Sequence, residues 1–231
     1  MSTQTTRNRP AAPRRTQAER REQSKRGLVE AAIAIIGSRG VSAMTFETIG
    51  EESGYSRSLV TQRFGSKLGL VQAVIDHLHA RMMPLFTASS VAQRTGLDSL
   101  LAYTELYLRK VAGDEGLRSY FKLLSSSVAD DDELRSAFAE EHERVRKGFA
   151  AHVRKAQSEG SIREELDADA FATLLGSLQL GISMQLLVDP TTKLDPLISA
   201  GTSVLRAGLV TGKAAGTKKR RDSVRAPRKR T

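Results

Sequence analysis

Apolar residues recur every three or four positions along most of this chain, and the alternation typical of β-strands is scarce. One stripe begins before Lys25, runs through Leu28 and Ile36, and ends at Gly40, where a glycine can terminate a helix. Two short helices are predicted at 45–64. Further helices are predicted to begin at Ser66, after Asp98 as a cap, and at Gly113, and others to span 131–159, 169–188 and 194–210. The pattern therefore predicts an all-α protein, with a loop or hinge at 87–96.

Segment 169–188 is apolar nearly all round its predicted helix. Such a helix must be covered on more than one face, either by other helices or by a membrane. Polar residues such as Gln179 and Gln185 interrupt the segment, so we expect other helices to cover it and expect no membrane partner.

The stretch at 45–64, TFETIGEESGYSRSLVTQRF, has the pattern of two short helices joined by a tight turn. Thr45 can cap the first helix, Gly54 can end it in the left-handed conformation, and Ser56 can cap the second. Val60 and Phe64 lie four residues apart and therefore point the same way. The other side chains of the second helix include arginine, glutamine and hydroxyl groups, which suit the major groove of DNA. An ordinary helical hairpin inside a larger bundle has the same local pattern.

The sequence around this hairpin favours the DNA-binding interpretation. It contains an Ala-Ala pair before an apolar helix end, an Arg-Gly pair, Thr45 and Ile49 at a four-residue interval, GYSR at 54–57, and FGSK at 64–67 before another apolar helix. Taken together, residues 27–78 resemble the N-terminal domain of the TetR family of transcriptional regulators. Further along, GSIREELDADAFATLL at 160–175 is similar to the family's usual entry to its dimerisation region.

The resemblance implies an N-terminal three-helix helix-turn-helix domain at 22–82, followed by a larger helical ligand-binding and dimerisation domain at 83–212. It also implies a homodimer that binds a palindromic operator in double-stranded DNA and is released by a small-molecule effector. We expect this effector to be lipophilic, because the body is rich in aromatic and aliphatic residues. The residues expected at the DNA are Thr45, Thr48, Ser56, Arg57, Ser58, Leu59, Thr61, Gln62, Arg63 and Lys67.

Two further sets of residues are expected in the body. Larger side chains expected to line an effector cavity are Tyr103, Tyr107, Phe121, Phe149, Gln179, Met184 and Gln185, although any one of them could instead be core. Residues expected in the interface between two copies of the last two helices are Leu174, Leu178, Ile182, Leu197, Gly201, Val204, Leu205 and Gly208. Two of these are glycines, which allow close approach of helices.

The chain departs from the family pattern at three positions near the hairpin. It has Thr61 where a tyrosine is common, Leu59 where a small residue is usual, and Gly69 where an acidic residue often follows the Ser66 cap. The phosphate contact usually assigned to that tyrosine therefore does not carry over directly. For reading bases, Leu59 is predicted to contact a thymine methyl group and Gln62 to pair with adenine.

The net charge of +10 is concentrated at the two ends of the chain. Residues 1–26 carry +6 and residues 213–231 carry +8, which leaves −4 for the rest. Disordered basic segments are predicted at 1–21 and 213–231, and both favour contacts with phosphates because binding releases counterions.

No enzymatic motif is found. There is no cysteine, no Gly-x-Gly pair and no Gly-x-Ser-x-Gly, so thiolate chemistry, disulfides and the common nucleotide and nucleophile signatures are excluded. His142 lies among acidic residues at 140–143, which is the pattern of a solvated helix face rather than of a metal site. We predict no enzyme, no metal and no cofactor.

Two functions fit the sequence. The first is a ligand-responsive regulator, most simply a repressor, acting in the cytoplasm. The second is an architectural or nucleoid-associated DNA-binding protein in which the basic ends dominate and no ligand acts. A footprint over one short palindrome would favour the first, and even coverage of unrelated DNA would favour the second.

Overall fold

The structure is a computed structural model that describes residues 16–94, 96–130 and 132–209, and every regular element among these residues is helical. The α-helices are α1 (Gln17–Arg39), α2 (Phe46–Ser53), α3 (Arg57–Phe64), α4 (Lys67–Met82), α5 (Pro84–Thr87), α6 (Ser89–Ala92), α7 (Gly96–Gly113), α8 (Glu115–Asp130), α9 (Asp132–Ser158), α10 (Ala168–Val188) and α11 (Leu194–Leu209), with a 3₁₀ turn at Val41–Ala43. The predicted all-α class is confirmed.

Helix α1 begins earlier than the sequence analysis placed it. Thr16 caps it: the Thr16 hydroxyl accepts from the backbone N–H of Glu19, and the Glu19 carboxylate accepts from the backbone N–H of Thr16 at 2.7 Å. The predicted disordered arm at 1–21 is therefore wrong for residues 17–21, which are helical because this capping box starts the helix there. The rest of that arm, and the basic segment at 213–231, lie outside the described residues.

The first four helices share a core that is closed to solvent. Leu28 and Ile35 of α1, Ile49 of α2, Val60 of α3 and Ile75 of α4 are all 0% exposed. Because each of the short helices α2 and α3 contributes few apolar residues, this shared core is what holds the hairpin at a fixed angle on α1 and α4.

This core does not end at residue 82, where the sequence analysis divided the chain. It continues into Phe121 of α8 and Phe138 of α9. Polar contacts cross the same boundary, since the Ser119 hydroxyl donates to the carbonyl of Ile33 at 3.2 Å and Lys122 donates to the carbonyl of Gly37 at 2.5 Å. Segments 22–82 and 83–212 therefore share a hydrophobic core.

The remaining helices form a bundle with a second core. Helix α9 packs along α10, both pack on α7 and α8, and α11 packs on α7. Phe149 and Val153 of α9 and Phe171 of α10 are buried in this second core. Helix α10 is long and apolar enough to cross a membrane by length and composition alone, but in this fold α7, α8 and α9 cover part of it.

The connection between α4 and α7 differs from the sequence expectation. The predicted loop at 87–96 contains α6 and follows α5, which has Pro84 in its first turn. Asp98 lies inside the first turn of α7 and not at its cap. Instead, the N–H of Leu97 donates a hydrogen bond to the hydroxyl of Ser161 at 3.2 Å. Sequence spacing could not reveal this contact, because the two residues are 64 positions apart.

Candidate functional site

The turn between α2 and α3 is built by residues close together in sequence. Gly54 ends α2 in the left-handed conformation, with φ 72° and ψ 17°, and the N–H of Tyr55 donates to the carbonyl of Gly50 at 2.9 Å. A Cβ atom on Gly50 would lie 2.9 Å from the carbonyl oxygen of Tyr55, so α2 and the turn approach too closely for a larger residue. The Ser56 hydroxyl then accepts from the N–H of Leu59 and starts α3.

Helix α3 presents one polar face to solvent. Val60 is fully buried and Phe64 packs against the first core, while Arg57, Ser58, Thr61 and Gln62 are exposed and Leu59 is half-buried. Arg57 forms an ion pair with Glu47 at 3.8 Å, with both side chains mostly exposed. Such an exposed pair stabilises little, so Arg57 can exchange Glu47 for another anion at small cost.

Several residues expected at the DNA are engaged within the fold. The hydroxyl of Thr45 caps α2, and the hydroxyl of Thr48 is within 2.6 Å of the carbonyl of Ala43, to which it donates. The Arg63 guanidinium does not face solvent on the exposed side of α3, because its Nε donates to the hydroxyl of Ser24 in α1 at 3.3 Å. Lys67 is exposed at the first position of α4.

The Arg63 contact also fixes the position of the start of α1. Arg21, Lys25 and Arg26 of the same helix are exposed, and Arg26 pairs with Glu30 at 3.7 Å. The sequence analysis left these residues out of the DNA-binding set, although the charge of the segment was a signal for them.

A cavity of about 770 Å³ lies inside the helical bundle. Its walls come from α4, α7, α8, α9 and α10. Among the residues expected to line it, five do so: Tyr103, Tyr107, Phe121, Phe149 and Gln179. The rings of Tyr103 and Phe149 meet edge to face at 5.5 Å, and the amide of Gln179 donates to the hydroxyl of Thr104 at 3.0 Å. The volume and the largely apolar wall suit a small organic molecule.

Two expected cavity residues lie elsewhere. Met184 packs against the first core. Gln185 is exposed and lies on the same side of α10 as Leu174 and Val188, since the three are separated by multiples of the helical repeat. Neither Met184 nor Gln185 lines the cavity. The α10 residues in its wall lie between Ala172 and Leu180, so Met184 lies about one turn further along the helix, and Gln185 is exposed to solvent.

Burial changes the acidity of the tyrosines around the cavity. It raises the pKa of Tyr107 to about 12, although a hydrogen bond with Ser183 opposes the change. Burial also raises the pKa of Tyr103 and of Tyr120. These phenols therefore stay neutral in the physiological range and act as hydrogen-bonding groups rather than charges.

The environment of Glu141 differs from the solvated helix face that the sequence pattern predicted for residues 140–143. Only 2% of Glu141 is exposed, so it does not belong to a solvated helix face. Its carboxylate forms ion pairs with His79 of α4 and with Arg144, the latter at 2.5 Å. Burial alone would raise the pKa of this carboxyl, but its contact with His79 and the charges of His79, Arg144 and His142 lower it below the usual value. Glu141 is therefore ionised, and it lies in the cavity wall.

Another polar pair lies beside Glu141. The ring nitrogen Nε2 of His142 and the hydroxyl of Tyr120 are 3.1 Å apart, and both residues line the cavity. Among the described residues, no group of three or more His, Asp or Glu side chains is arranged to hold a metal ion. The polar end of the cavity is thus a set of hydrogen-bonding groups around one buried carboxylate.

Helices α10 and α11 leave an apolar surface exposed. Leu174 is 60% exposed and Val188 is 77% exposed on α10, and Val204 is 70% exposed on α11. Leu197 and Gly208 continue this surface, whereas Leu178, Ile182, Gly201 and Leu205 are half-buried. Large exposed apolar side chains of this kind are typical of a protein–protein contact. We call Leu174, Val188, Leu197 and Val204 the α10–α11 surface.

A helix-turn-helix with an exposed polar second helix, joined through α4 to a bundle with an internal cavity, defines a class of DNA-binding regulator. Comparisons with known proteins agree with this class. Residues 28–74 match the family described as "Bacterial regulatory proteins, tetR family", and residues 97–208 match "BetI-type transcriptional repressor, C-terminal". The chain belongs to the TetR family of transcriptional regulators, as its resemblance implied.

Solved structures show the same fold at low sequence identity. A chain described as a TetR-family transcriptional regulator from Rhodococcus sp. has a TM-score of 0.71 at 19% identity, over 80% of this chain and 98% of that one. A TetR transcriptional regulator from Chloroflexus aurantiacus has a TM-score of 0.69 at 18% identity, over 83% and 98%. The multidrug binding protein EbrR, complexed with imidazole, has a TM-score of 0.65 at 19% identity, over 88% and 100%. No curated protein sequence matches the chain.

Proposed function

We propose that this TetR-family regulator is a homodimeric repressor that binds a palindromic operator and leaves it when a lipophilic effector enters the cavity. The observation that carries the proposal is the shared role of α4. This helix packs on α3 through the first core and also contributes Leu78, His79 and Met82 to the cavity wall. An effector in the cavity would therefore touch the helix that positions the DNA-reading residues.

In the proposed function, the exposed face of α3 reads the DNA bases. Arg57, Ser58, Thr61 and Gln62 are available for base edges, with Leu59 at the border of the buried side. Lys67 and the basic start of α1 would hold phosphates on either side, which fixes orientation without reading sequence. Thr45, Thr48 and Ser56 act mainly as helix caps, since their hydroxyls are used inside the fold.

In the proposed function, two copies of the chain form a dimer through the α10–α11 surface. Pairing of two such surfaces about a two-fold axis would bury the exposed Leu174, Val188 and Val204. The same axis would relate two copies of α3, and reading two half-sites in successive major grooves needs a separation of about 34 to 36 Å.

Effector release would follow from a change in that separation. A ligand shifts the equilibrium only if it binds the non-operator geometry more tightly, and a coupling of about 1 to 3 kcal/mol is typical. Because α4 packs on α3 and shares the first core with it, a displaced α4 would move the reading helix as well.

Selection of bound sequences from random DNA tests the operator part of the proposal. We expect one palindromic motif with two half-sites to be enriched. Recovery of unrelated sequences without a common motif would contradict the proposal and favour the architectural alternative instead. Lipophilic compounds that raise the melting temperature are then tested for release of the selected DNA.

Gln62→Ala is expected to relax base preference at one position of each half-site and to weaken operator binding by about 1 to 3 kcal/mol. The reason is that a glutamine amide can make two hydrogen bonds to adenine, and Gln62 is exposed on α3. The measurement is fluorescence anisotropy on the selected operator and on operators with single substitutions.

Lys67→Ala provides the matched comparison. Lys67 is also exposed, but it lies at the start of α4 and is assigned to a phosphate. Its replacement should weaken all DNA sequences about equally and reduce the slope of log affinity against log salt by about one unit. If Gln62→Ala weakens every sequence to the same degree as Lys67→Ala does, Gln62 does not read a base.

A further inference from the structure

We propose that the effector is a lipophilic ammonium compound whose N–H group replaces His79 as the partner of the Glu141 carboxylate, and that this replacement releases α4. The inference rests on the proposed function, because it names the chemical class of ligand for the same cavity. It concerns the buried residue Glu141 of α9 and its contact with His79 of α4.

The Glu141 carboxylate is buried without full hydrogen bonding. Neither of its oxygens has a partner in hydrogen-bond geometry among the described residues, although both are ion-paired. The lowered pKa indicates that it is charged in spite of its burial. The neighbouring charges offset the cost of burial, but neither oxygen has a donor in hydrogen-bond geometry within the described part of the chain, so either can accept one from a ligand.

The two ion-pair partners of Glu141 come from different places. Arg144 lies on the same helix, three residues away, with about half of its side chain exposed, so it moves with Glu141. His79 comes from α4 and therefore joins the DNA-binding part of the chain to α9. Loss of the His79 contact removes an attachment between α4 and α9, whereas loss of the Arg144 contact does not.

The surroundings of Glu141 favour a cation with an apolar body. Tyr103, Tyr107, Tyr120 and Phe121 line the same cavity, and the faces of aromatic rings attract cations. A neutral lipophile would fill the space but offer the carboxylate at most a weak donor. Two arginines also line the cavity, but both are already paired with carboxylates, Arg144 with Glu141 and Arg146 with Glu143 and Asp169. An ammonium group supplies both a positive charge and N–H donors, which is the combination that strengthens a hydrogen bond to a carboxylate.

The exchange gives a reason for coupling between cavity and hairpin. Once the ligand N–H group donates to Glu141, the buried charge is compensated without His79. His79 can then move away with α4, and α3 moves with α4 because the two share the first core. A ligand without such a group would occupy the cavity and leave the His79–Glu141 contact in place.

The test compares two probes of equal length on the full chain, 4-phenylbutylammonium and the neutral 4-phenyl-1-butanol, by isothermal titration calorimetry. We expect the ammonium compound to bind at least about tenfold more tightly, the size of effect that one charge-assisted hydrogen bond supplies. Glu141→Gln should bring the two affinities close together while the alcohol still binds. Glu140→Gln is the matched control, because Glu140 is the neighbouring carboxylate on α9 but is exposed and does not line the cavity, and this variant should keep the preference.

If the two probes bind the unmodified protein equally, or if neither binds, the effector is not a lipophilic ammonium compound. This comparison uses the unmodified protein, so it does not depend on whether the Glu141→Gln variant folds. Release of operator is measured with both probes at saturating occupancy. If the ammonium compound releases no more operator than the alcohol does, the exchange with His79 is refuted. A chain that selects no operator in the absence of ligand would refute the proposed function instead, so the two failures are distinguishable.

Discussion

Leu174→Asp is expected to convert the protein from a dimer to a monomer and to abolish high-affinity binding to its operator. Leu174 is 60% exposed in the single chain, so an aspartate there stays hydrated and the chain should fold normally. In a dimer through the α10–α11 surface, the carboxylate would be buried in an apolar contact without a partner, at a cost of several kcal/mol. Two linked half-sites bind about 10² to 10⁴ times more tightly than one, so the monomer should lose a factor of that order.

Sedimentation velocity gives the oligomeric state of this variant, and anisotropy gives its operator affinity. Val128→Asp is the matched control, because Val128 is an exposed apolar residue of α8, 45% exposed, outside the α10–α11 surface. Leu174 is a better probe than Leu205, which packs against the second core, so that aspartate there would disturb the fold of the monomer itself. A dimeric Leu174→Asp protein would contradict this interface, and so would a monomeric Val128→Asp protein.

Gly69→Ala is expected to lower the melting temperature and to weaken operator binding, although alanine normally favours a helix. A Cβ atom at position 69 would lie 2.2 Å from the carbonyl oxygen of Phe64, the last residue of α3. This contact is with backbone, so α3 and α4 would have to separate. We expect a net loss on the order of 1 to 3 kcal/mol, since overpacking of this kind outweighs the helix propensity that alanine gains. The shift of α3 would also misplace the reading residues.

Gly148→Ala tests the same substitution where there is room. Gly148 lies within α9, and no atom outside its own helix neighbourhood lies within 4 Å of the position of an added Cβ. Alanine there should stabilise the protein by about 0.5 to 1 kcal/mol. Thermal denaturation of both variants is the measurement. If Gly69→Ala is as stable as Gly148→Ala, α3 and α4 do not approach as closely as the structure indicates.

The same glycine explains one departure from the family pattern. An acidic residue is common three positions after the Ser66 cap, yet the close approach of Phe64 leaves no space for any side chain at that position. The Ser66 hydroxyl still accepts from the N–H of residue 69 at 3.1 Å, so the cap is retained without the acidic partner. The sequence displayed the departure, but its cause is visible only in the packing of α3 on α4.

Prediction of the hairpin succeeded because its determinants are local. Thr45 and Ser56 cap the helices that follow them, Gly54 forms the left-handed turn, and Val60 faces the core, as the spacing of these residues indicated. Each of these contacts joins residues a few positions apart, or follows from the helical repeat. The position of Arg63 could not be predicted in this way, because its partner Ser24 is 39 residues away.

The cavity shows the opposite case. Tyr103, Phe149 and Met184 are all apolar or amphipathic residues at helical spacing, and nothing in the sequence separates those that line a cavity from those that fill a core. Only the packing of the helices decided that Tyr103 and Phe149 line the cavity, whereas Met184, about one turn of α10 beyond it, packs against the first core.

By itself, the sequence determined the all-α class and the helix-turn-helix with its caps and turn, because helical periodicity and capping act within a few residues. The tertiary structure alone decided that Glu141, in a run of charges resembling a solvated face, is buried against His79 of α4. Residues 62 positions apart meet there because α9 packs on α4, and burial and charge pairing of this kind depend on which surfaces the fold brings together.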